Sequence, residues 1–326
     1  MRVYRSLEEV ALLPRGVPRA VAIGTFDGVH TGHQRIIGMA VDAARAMQGV
    51  PTVVTFEPHP GAILRPAERP AILTPLEVKV GLLERLGVEE VVAVPFTLEF
   101  AALEPGQFCR RLLSDRLGAR QVSVGANFRF GRGGRGTAID LLSLGQDQGF
   151  SVSAIQLIKV DGGVVSSTRI RRMVAEGDVE GAARLLGRAH LLAGQVVAGV
   201  GRGRTLGMPT ANLRPPEDAA VPGQGVYVTR THTTQWPPQD SVTSIGTNPT
   251  FESDDVVRIE TFLLDFHGTL YDAPLQVEFL ARLRGQQAFA DKEALVEQMH
   301  RDVEEARRVL ADAAVSASTE DHSRMW

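Results

Sequence analysis

The sequence predicts two folds in series: an α/β domain with a parallel sheet and helices on both faces, then an antiparallel β-barrel with a C-terminal helix. Three observations lead there. Up to about residue 158, short apolar runs alternate with segments whose apolar residues recur every three or four positions, the pattern of strands alternating with helices. Beyond about residue 187 that helical periodicity stops, and short strand-like runs separated by glycine and proline take over, as in a barrel. Finally, 326 residues exceed what one core usually holds. The expected divisions are 1–186, 187–312 and a short, polar, disordered tail over 313–326.

Taken in order, the residues before Pro18 read as an edge strand and a short helix. Ala20-Val21-Ala22-Ile23 is a buried strand bounded by Gly24, and an amphipathic helix follows from about Gly32 with Ile36, Ile37, Ala40, Ala43, Ala44 and Met47 on one face. Further strands are expected over 52–56, 90–94, 121–125 and 151–158, with helices over 76–86, 108–117 and 139–148. Helices over 174–176 and 179–186 precede a junction at 187–190. The barrel strands are expected over 191–197, 225–229, 242–246, 257–265 and 275–279. Asp291 then caps a last helix that carries Leu295, Met299, Val303, Ala306 and Leu310 at three- and four-residue spacing, a face that should pack on the barrel.

In parallel sheets of this kind, ligands bind at the carboxyl ends of the strands. Three unusual turns fall at that rim: residues 24–33, Glu57-Pro58-His59-Pro60, and the loop after Gly125. The first, Gly24-Thr25-Phe26-Asp27-Gly28-Val29-His30-Thr31-Gly32-His33, sets two imidazoles at the mouth of a helix. Unpaired N–H groups and a partial positive charge there suit a phosphate, and the glycines let a ligand approach the backbone. In the third turn Gly131, Gly133 and Gly136 satisfy the dinucleotide-binding pattern GxGxxG. Phe128 to Phe130 stand between strand and glycines, so the tight turn is misplaced; the loop reads instead as a basic, phosphate-facing one with Arg132 and Arg135. Val165-Ser166-Ser167-Thr168-Arg169-Ile170-Arg171 is a second helix start. In the barrel half, residues 199–213 form a glycine-rich basic loop with Gly201, Gly203 and Gly207, ending in Pro209-Thr210-Ala211-Asn212. Its N–H groups can converge on phosphate, and Thr210 and Asn212 offer neutral oxygens for Mg²⁺.

His30-Thr31-Gly32-His33 resembles the HxGH signature of the nucleotidylyltransferase superfamily. With Gly24 to Gly28 in front of it, the whole stretch is similar to the opening motif of the bacterial bifunctional riboflavin kinase/FAD synthetase family. Residues 125–131, 165–171, 199–213, 245–251, 260–266 and 283–284 resemble later motifs of that family in the same order. The resemblance implies a Rossmann-like nucleotidylyltransferase domain followed by a riboflavin kinase barrel. It implies that the barrel phosphorylates riboflavin to FMN with ATP and Mg²⁺, and that the first domain adenylylates FMN to FAD with release of pyrophosphate. By the same resemblance Glu260 is the kinase base, and His30, His33 and Arg171 serve adenylyl transfer. Gly24, Phe26, Asp27, Gly28, Asn127, Ser167 and Thr168 would bind nucleotide or flavin, as would Gly201, Gly203, Gly207, Pro209 and Arg284; Thr210 and Asn212 would hold the metal. Arg169 falls at the variable position of its motif and Asp302 aligns with a late-helix aspartate of the family; neither is assigned a role. The competing readings are a nucleotidylyltransferase acting on another phosphate acceptor and a non-catalytic flavin sensor.

Composition excludes several other classes. A formal charge of −3 gives no reason to expect a nucleic-acid or membrane surface. One cysteine, Cys109, excludes an internal disulfide framework and a cysteine-based zinc site. No apolar run approaches ~18 residues and the first ten lack a signal core, so a cytoplasmic enzyme of small-molecule substrates is expected. The oligomeric state stays open.

Overall fold

A computed structural model of the chain describes residues 1–10, 16–197, 208–247, 257–266, 268, 270 and 274–323; of residues 7 and 313–323 it describes the backbone alone. The chain packs as two units, Met1–Ser167 and Thr168–Trp326.

The first unit is built on strands β1 (Arg2–Tyr4), β2 (Arg19–Ile23), β3 (Val50–Glu57), β4 (Glu90–Pro95), β5 (Ala119–Gly125) and β6 (Ser151–Ile155). They form one sheet in the order β1-β4-β3-β2-β5-β6, every pair parallel. All five residues of β2 are buried, as an apolar run without alternation requires of a strand covered on both faces. On one face, helix α1 (Thr31–Ala46) sets Ile37, Ala40, Val41 and Ala44 against Ala20, Ala22, Val53 and Val91. On the other, Val21, Ile23, Val54 and Val122 meet Phe108, Leu112, Leu113 and Leu141. The chain runs from β2 through β3 to β4 on one side and then returns to β5 on the other. The carboxyl end of β2 is therefore the sheet's switch point, where such folds open a crevice.

The opposite end of the sheet is tied by a buried ion pair. Arg19 Nε donates to Glu90 Oε2 at 2.8 Å and Nη2 to Oε1 at 3.4 Å, while Nη1 reaches Leu117 O at 3.2 Å. Thr52 Oγ1 adds a bond to Glu90 at 3.3 Å, so three adjacent strands share one carboxylate.

Two local readings change. The helix expected over 108–117 is a turn, Pro105–Phe108, running into a wide π-helical stretch, Cys109–Ser114. Cys109 is buried in it, and burial pushes its thiol up to about 12, so no thiolate forms near neutral pH. The GxGxxG glycines sit in a small ribbon in which Arg129 and Phe130 pair antiparallel with Thr137 and Gly136. Gly131 and Gly133 take φ of +70° and +63° at its tip. Thr137 then caps helix α3 (Ala138–Gln148) reciprocally with Asp140, so no dinucleotide turn exists here.

In the second unit, helices α4 (Ser167–Glu176) and α5 (Val179–Leu186) lead into a closed barrel. Its strands are β7 (His190–Val197), β8 (Ala211–Arg214), β9 (Gly225–Thr233), β10 (Gln239–Gly246), β11 (Arg258–Leu263) and β12 (Pro274–Arg284). They pair antiparallel in the order β7-β8-β11-β10-β9-β12 and back to β7. β8 was not among the expected strands: it is four residues long and lies in a glycine- and proline-rich stretch that gives no alternation to read. The packing boundary also falls earlier than residue 186. Val179 of α5 is fully buried among Leu192, Tyr227, Val277 and Phe279 of the barrel, Gly223 N donates to Val174 O and Arg282 Nη1 to Glu176 O.

The last helix, α6 (Lys292–Ser323), is capped by Asp291, whose Oδ1 accepts from Ala294 N at 2.8 Å. It seats Val303, Ala306 and Leu310 on Val226, Val228 and Val242. Its backbone stays helical to Ser323, within the segment expected to be disordered from residue 313. That segment is polar overall, but it is rich in alanine, the strongest helix former.

Because Glu90 is buried against a guanidinium, replacing one partner strands a charge in the core. Glu90→Ala should lose about 3–5 kcal/mol of first-unit stability, read as a lowered midpoint in chemical denaturation; an unchanged midpoint would contradict the role given to this pair.

Candidate active sites

The first site grows from the turn after β2. Phe26, Gly28 and Val29 have φ of +49°, +92° and +41°, and the two non-glycines each carry strain on the order of 1–3 kcal/mol that the surroundings must hold. The holding bonds are all in place. Asp27 Oδ1 and Oδ2 accept from Thr74 N at 2.9 Å and Leu73 N at 3.2 Å, and Gly28 N donates to Thr74 Oγ1 at 2.7 Å. Thr25 O accepts from Thr55 Oγ1 at 2.9 Å and from Lys79 Nζ at 3.0 Å. Asp27 O accepts from Ser167 Oγ at 2.7 Å, and Val29 O from Gln34 Nε2 at 2.9 Å.

This turn delivers His30 as the N-cap of α1. His30 Nδ1 accepts from His33 N at 3.2 Å, which in the neutral ring leaves the proton on Nε2. The His30 and His33 rings stack at 3.5 Å, 18° from parallel, and Phe26 meets His33 edge-on at 5.3 Å. A Cβ at Gly32 would lie 3.2 Å from the His30 ring, so the glycine of the HxGH pattern makes room for the stack. Two imidazoles at the N-terminus of a sixteen-residue helix form a donor set for a phosphate.

The structure brings Gly24, Phe26, Asp27, Gly28, His30 and His33 into this one turn. Asp27 is 2 % exposed, and both its carboxylate oxygens are engaged with the backbone of 73–74. Ser167 likewise commits its hydroxyl proton to Asp27 O. Asn127 is exposed just beyond β5, the strand beside β2, so it stands at the same rim. His59 of the second rim turn caps the short helix Pro60–Leu64, its Nδ1 accepting from Gly61 N at 2.9 Å. Thr168 and Arg171 stand on α4 in the other packed unit. Sequence reasoning missed Thr55, Thr74 and Lys79. A lysine in an amphipathic helix (α2, Leu76–Arg85) looks like a solvated residue, yet Lys79 is 3 % exposed. Burial holds its amine below the ordinary lysine range, with the charges of Asp27 and Glu57 pulling the other way.

The second site lies on the barrel wall. Asn212 of β8 is directly opposite Glu260 of β11, which faces Ser244 of β10 on its other side. Opposite residues of antiparallel strands share a face, and the alternate residues Ile259, Thr261 and Leu263 are buried. Glu260 and Asn212 thus project together, half-buried, with Pro209 and Thr210 just ahead of β8. Arg284, at the end of β12, is gripped by Asp302 of α6: Nε to Oδ1 at 2.9 Å and Nη2 to Oδ2 at 2.7 Å. Gln298 Nε2 donates to the same carboxylate at 2.9 Å, and the Phe289 ring lies 5.8 Å from the guanidinium carbon. Asp302 therefore anchors Arg284. Gly201, Gly203 and Gly207, and the part of the 245–251 motif from residue 248 on, lie outside the described residues.

The donor set at Thr210 and Asn212 fits Mg²⁺, a hard cation that takes few protein oxygens and shares substrate phosphates. Among the described residues no cluster of three or more His, Cys, Asp or Glu could hold a metal ion by itself.

Comparison with known proteins also finds two parts in series. The FAD synthetase family model matches residues 15–169 and the riboflavin kinase family model residues 186–310. The bifunctional riboflavin kinase/FMN adenylyltransferase of Pseudomonas fluorescens is 38% identical over 96% of this chain and 99% of its own length. The protein of that name from Listeria monocytogenes is 35% identical over 90% of this chain and 93% of its own. A crystal structure described as a macrolide-efflux protein from Streptococcus pneumoniae superposes with a TM-score of 0.83 at 30% identity, covering 94% of this chain and 98% of that one. Its fold is shared; among the described residues here, no helix is long and apolar enough to cross a membrane. With both family models matched in order and full-length relatives above 30% identity, the chain belongs to the bifunctional riboflavin kinase/FMN adenylyltransferase family.

Proposed function

We propose that the chain makes FAD from riboflavin in two steps, each run by its own unit. The observation that supports this is that the histidine turn and the Glu260–Asn212 pair lie in different packed units. In the barrel, Glu260 takes the proton from the riboflavin 5′-hydroxyl, whose oxygen attacks the γ-phosphorus of ATP to give FMN and ADP. A half-buried carboxylate suffices as base, since phosphoryl transfer is chiefly positioning and charge neutralisation. Thr210 and Asn212 are the residues that would hold Mg²⁺, whose chemistry there is to offset phosphate charge. The glycines at 201, 203 and 207 cradle the ATP phosphates, next to Pro209, and Arg284 lies toward the flavin, held in place by Asp302.

In the first unit, a phosphate oxygen of FMN attacks the α-phosphorus of a second ATP and pyrophosphate leaves. The attacking phosphate is already anionic, so no protein base is required. His30 and His33, as hydrogen-bond donors at the start of α1, stabilise charge on the pentavalent phosphorus and the leaving group. Asn127 contacts nucleotide or flavin. Asp27, Gly28, Phe26 and Ser167 act on the reaction by shaping the turn. Gly24 leaves room for the Phe26 ring, from which a Cβ there would lie 3.1 Å. We also place the enzyme in the cytoplasm, where its co-substrate ATP is made available, with small molecules rather than nucleic acid or membrane as its partners.

Incubated with riboflavin, ATP and Mg²⁺, the purified chain should show FMN first and FAD after it by chromatography; FMN alone would leave the first unit with another acceptor. His30→Ala should slow FAD formation about 10²–10³-fold while riboflavin phosphorylation continues. Glu260→Gln should stop FMN formation, yet FMN supplied directly should still be adenylylated. Loss of both activities from either substitution in a folded protein would overturn the division of labour.

A further inference from the structure

We propose that Lys79 is a positioning residue for adenylyl transfer: from beneath the sheet rim it fixes the Thr25–Phe26 peptide and, through it, the stacked histidines. This inference rests on reading the His30 turn as the adenylyl-transfer site.

The connection is continuous in space. Lys79 Nζ donates to Thr25 O at 3.0 Å and to Thr55 Oγ1 at 3.3 Å, and Thr55 Oγ1 in turn donates to Thr25 O at 2.9 Å. One carbonyl thus receives two donors, one of them a buried amine, and both come from elements other than β2 or α1. That carbonyl belongs to the peptide leading into Phe26, whose φ of +49° an L-residue adopts only under constraint. The Phe26 ring is buried at 1 % exposure and meets His33 edge-on; His33 stacks on His30. Release of Thr25 O would let the peptide rotate toward an unstrained φ, carrying the ring away from His33. A displacement of about 1 Å in catalytic groups can cost roughly 10²-fold in rate. A lysine is also a costly choice for a site so thoroughly buried. Nothing in helix packing calls for its amine, and the atoms it bonds belong to the turn and to β3.

The test uses the full chain with three variants in parallel. Lys79→Met keeps the side-chain length and removes the donor, Thr55→Val removes the relay at nearly constant volume, and His30→Ala marks the site. For each, kcat and KM are measured for FMN adenylylation, with riboflavin phosphorylation as an internal check. Lys79→Met should lower adenylylation kcat at least tenfold while KM for FMN and ATP stays within about twofold and the kinase rate is unchanged. Thr55→Val should give a smaller fall of the same kind. An unchanged kcat, or a rise in KM alone, overturns the proposal. If Lys79→Met unfolds the first unit, Thr55→Val decides alone, and an unchanged kcat there overturns it. Full FAD synthesis in His30→Ala would instead remove the site reading itself, a result distinct from loss in His30→Ala with intact Lys79→Met and Thr55→Val.

Discussion

The first unit depends on a turn that cannot hold its own shape. Between Thr25 and His30 the backbone enters the left-handed region at Phe26, Gly28 and Val29, so the histidines reach the helix mouth only because other elements hold the turn. Asp27 does most of this. Its carboxylate is buried at 2 % exposure, and two backbone N–H groups from 73–74 bond its oxygens. The rim crevice of the parallel sheet, a property of topology, thereby becomes a site with directed donors.

The barrel solves a different problem. Closure leaves no open strand edge, which pins every register, and pinned registers are what set Asn212 beside Glu260. Its interior is not wholly apolar. Thr231, Ser241, Thr229, Thr243 and Thr261 form a chain of hydroxyls with successive spacings of 2.8, 2.8, 2.8 and 3.1 Å, all buried. A satisfied polar ladder of this kind tolerates one strand alignment and penalises a slip, since a shift by one residue would bury each hydroxyl unpaired or turn it outward.

Much of this was legible in the sequence where periodicity is strong. β2 and α1 follow from an unbroken apolar run and a three-to-four spacing, and the helix on the barrel from Val303, Ala306 and Leu310. The GxGxxG decoy was recognisable because Phe128 to Phe130 intervene. What escaped has physical reasons. β8 is too short to show alternation, and its register is imposed by β7 and β11. Asp27 carries a motif's weight, but nothing in a linear string shows that both its oxygens face the backbone forty-six and forty-seven residues on. Lys79 and Asp302 look like ordinary charged helix positions; only their burial and partners distinguish them. The boundary after residue 167 was hidden because α4 and α5 have helical patterns like those before them, while their apolar faces are claimed by the barrel.

That last feature bears on how the two halves can be taken apart. Val179 works as a stopper in the barrel interior, and the carbonyls of Val174 and Glu176 are ligated by Gly223 N and the Arg282 guanidinium. A barrel excised at residue 187 would be an uncorked vessel, with an apolar hole where Val179 sat and a guanidinium stripped of one acceptor. The barrel's packed unit begins at Thr168, so the linker that looks dispensable between two enzymes is structurally part of one of them.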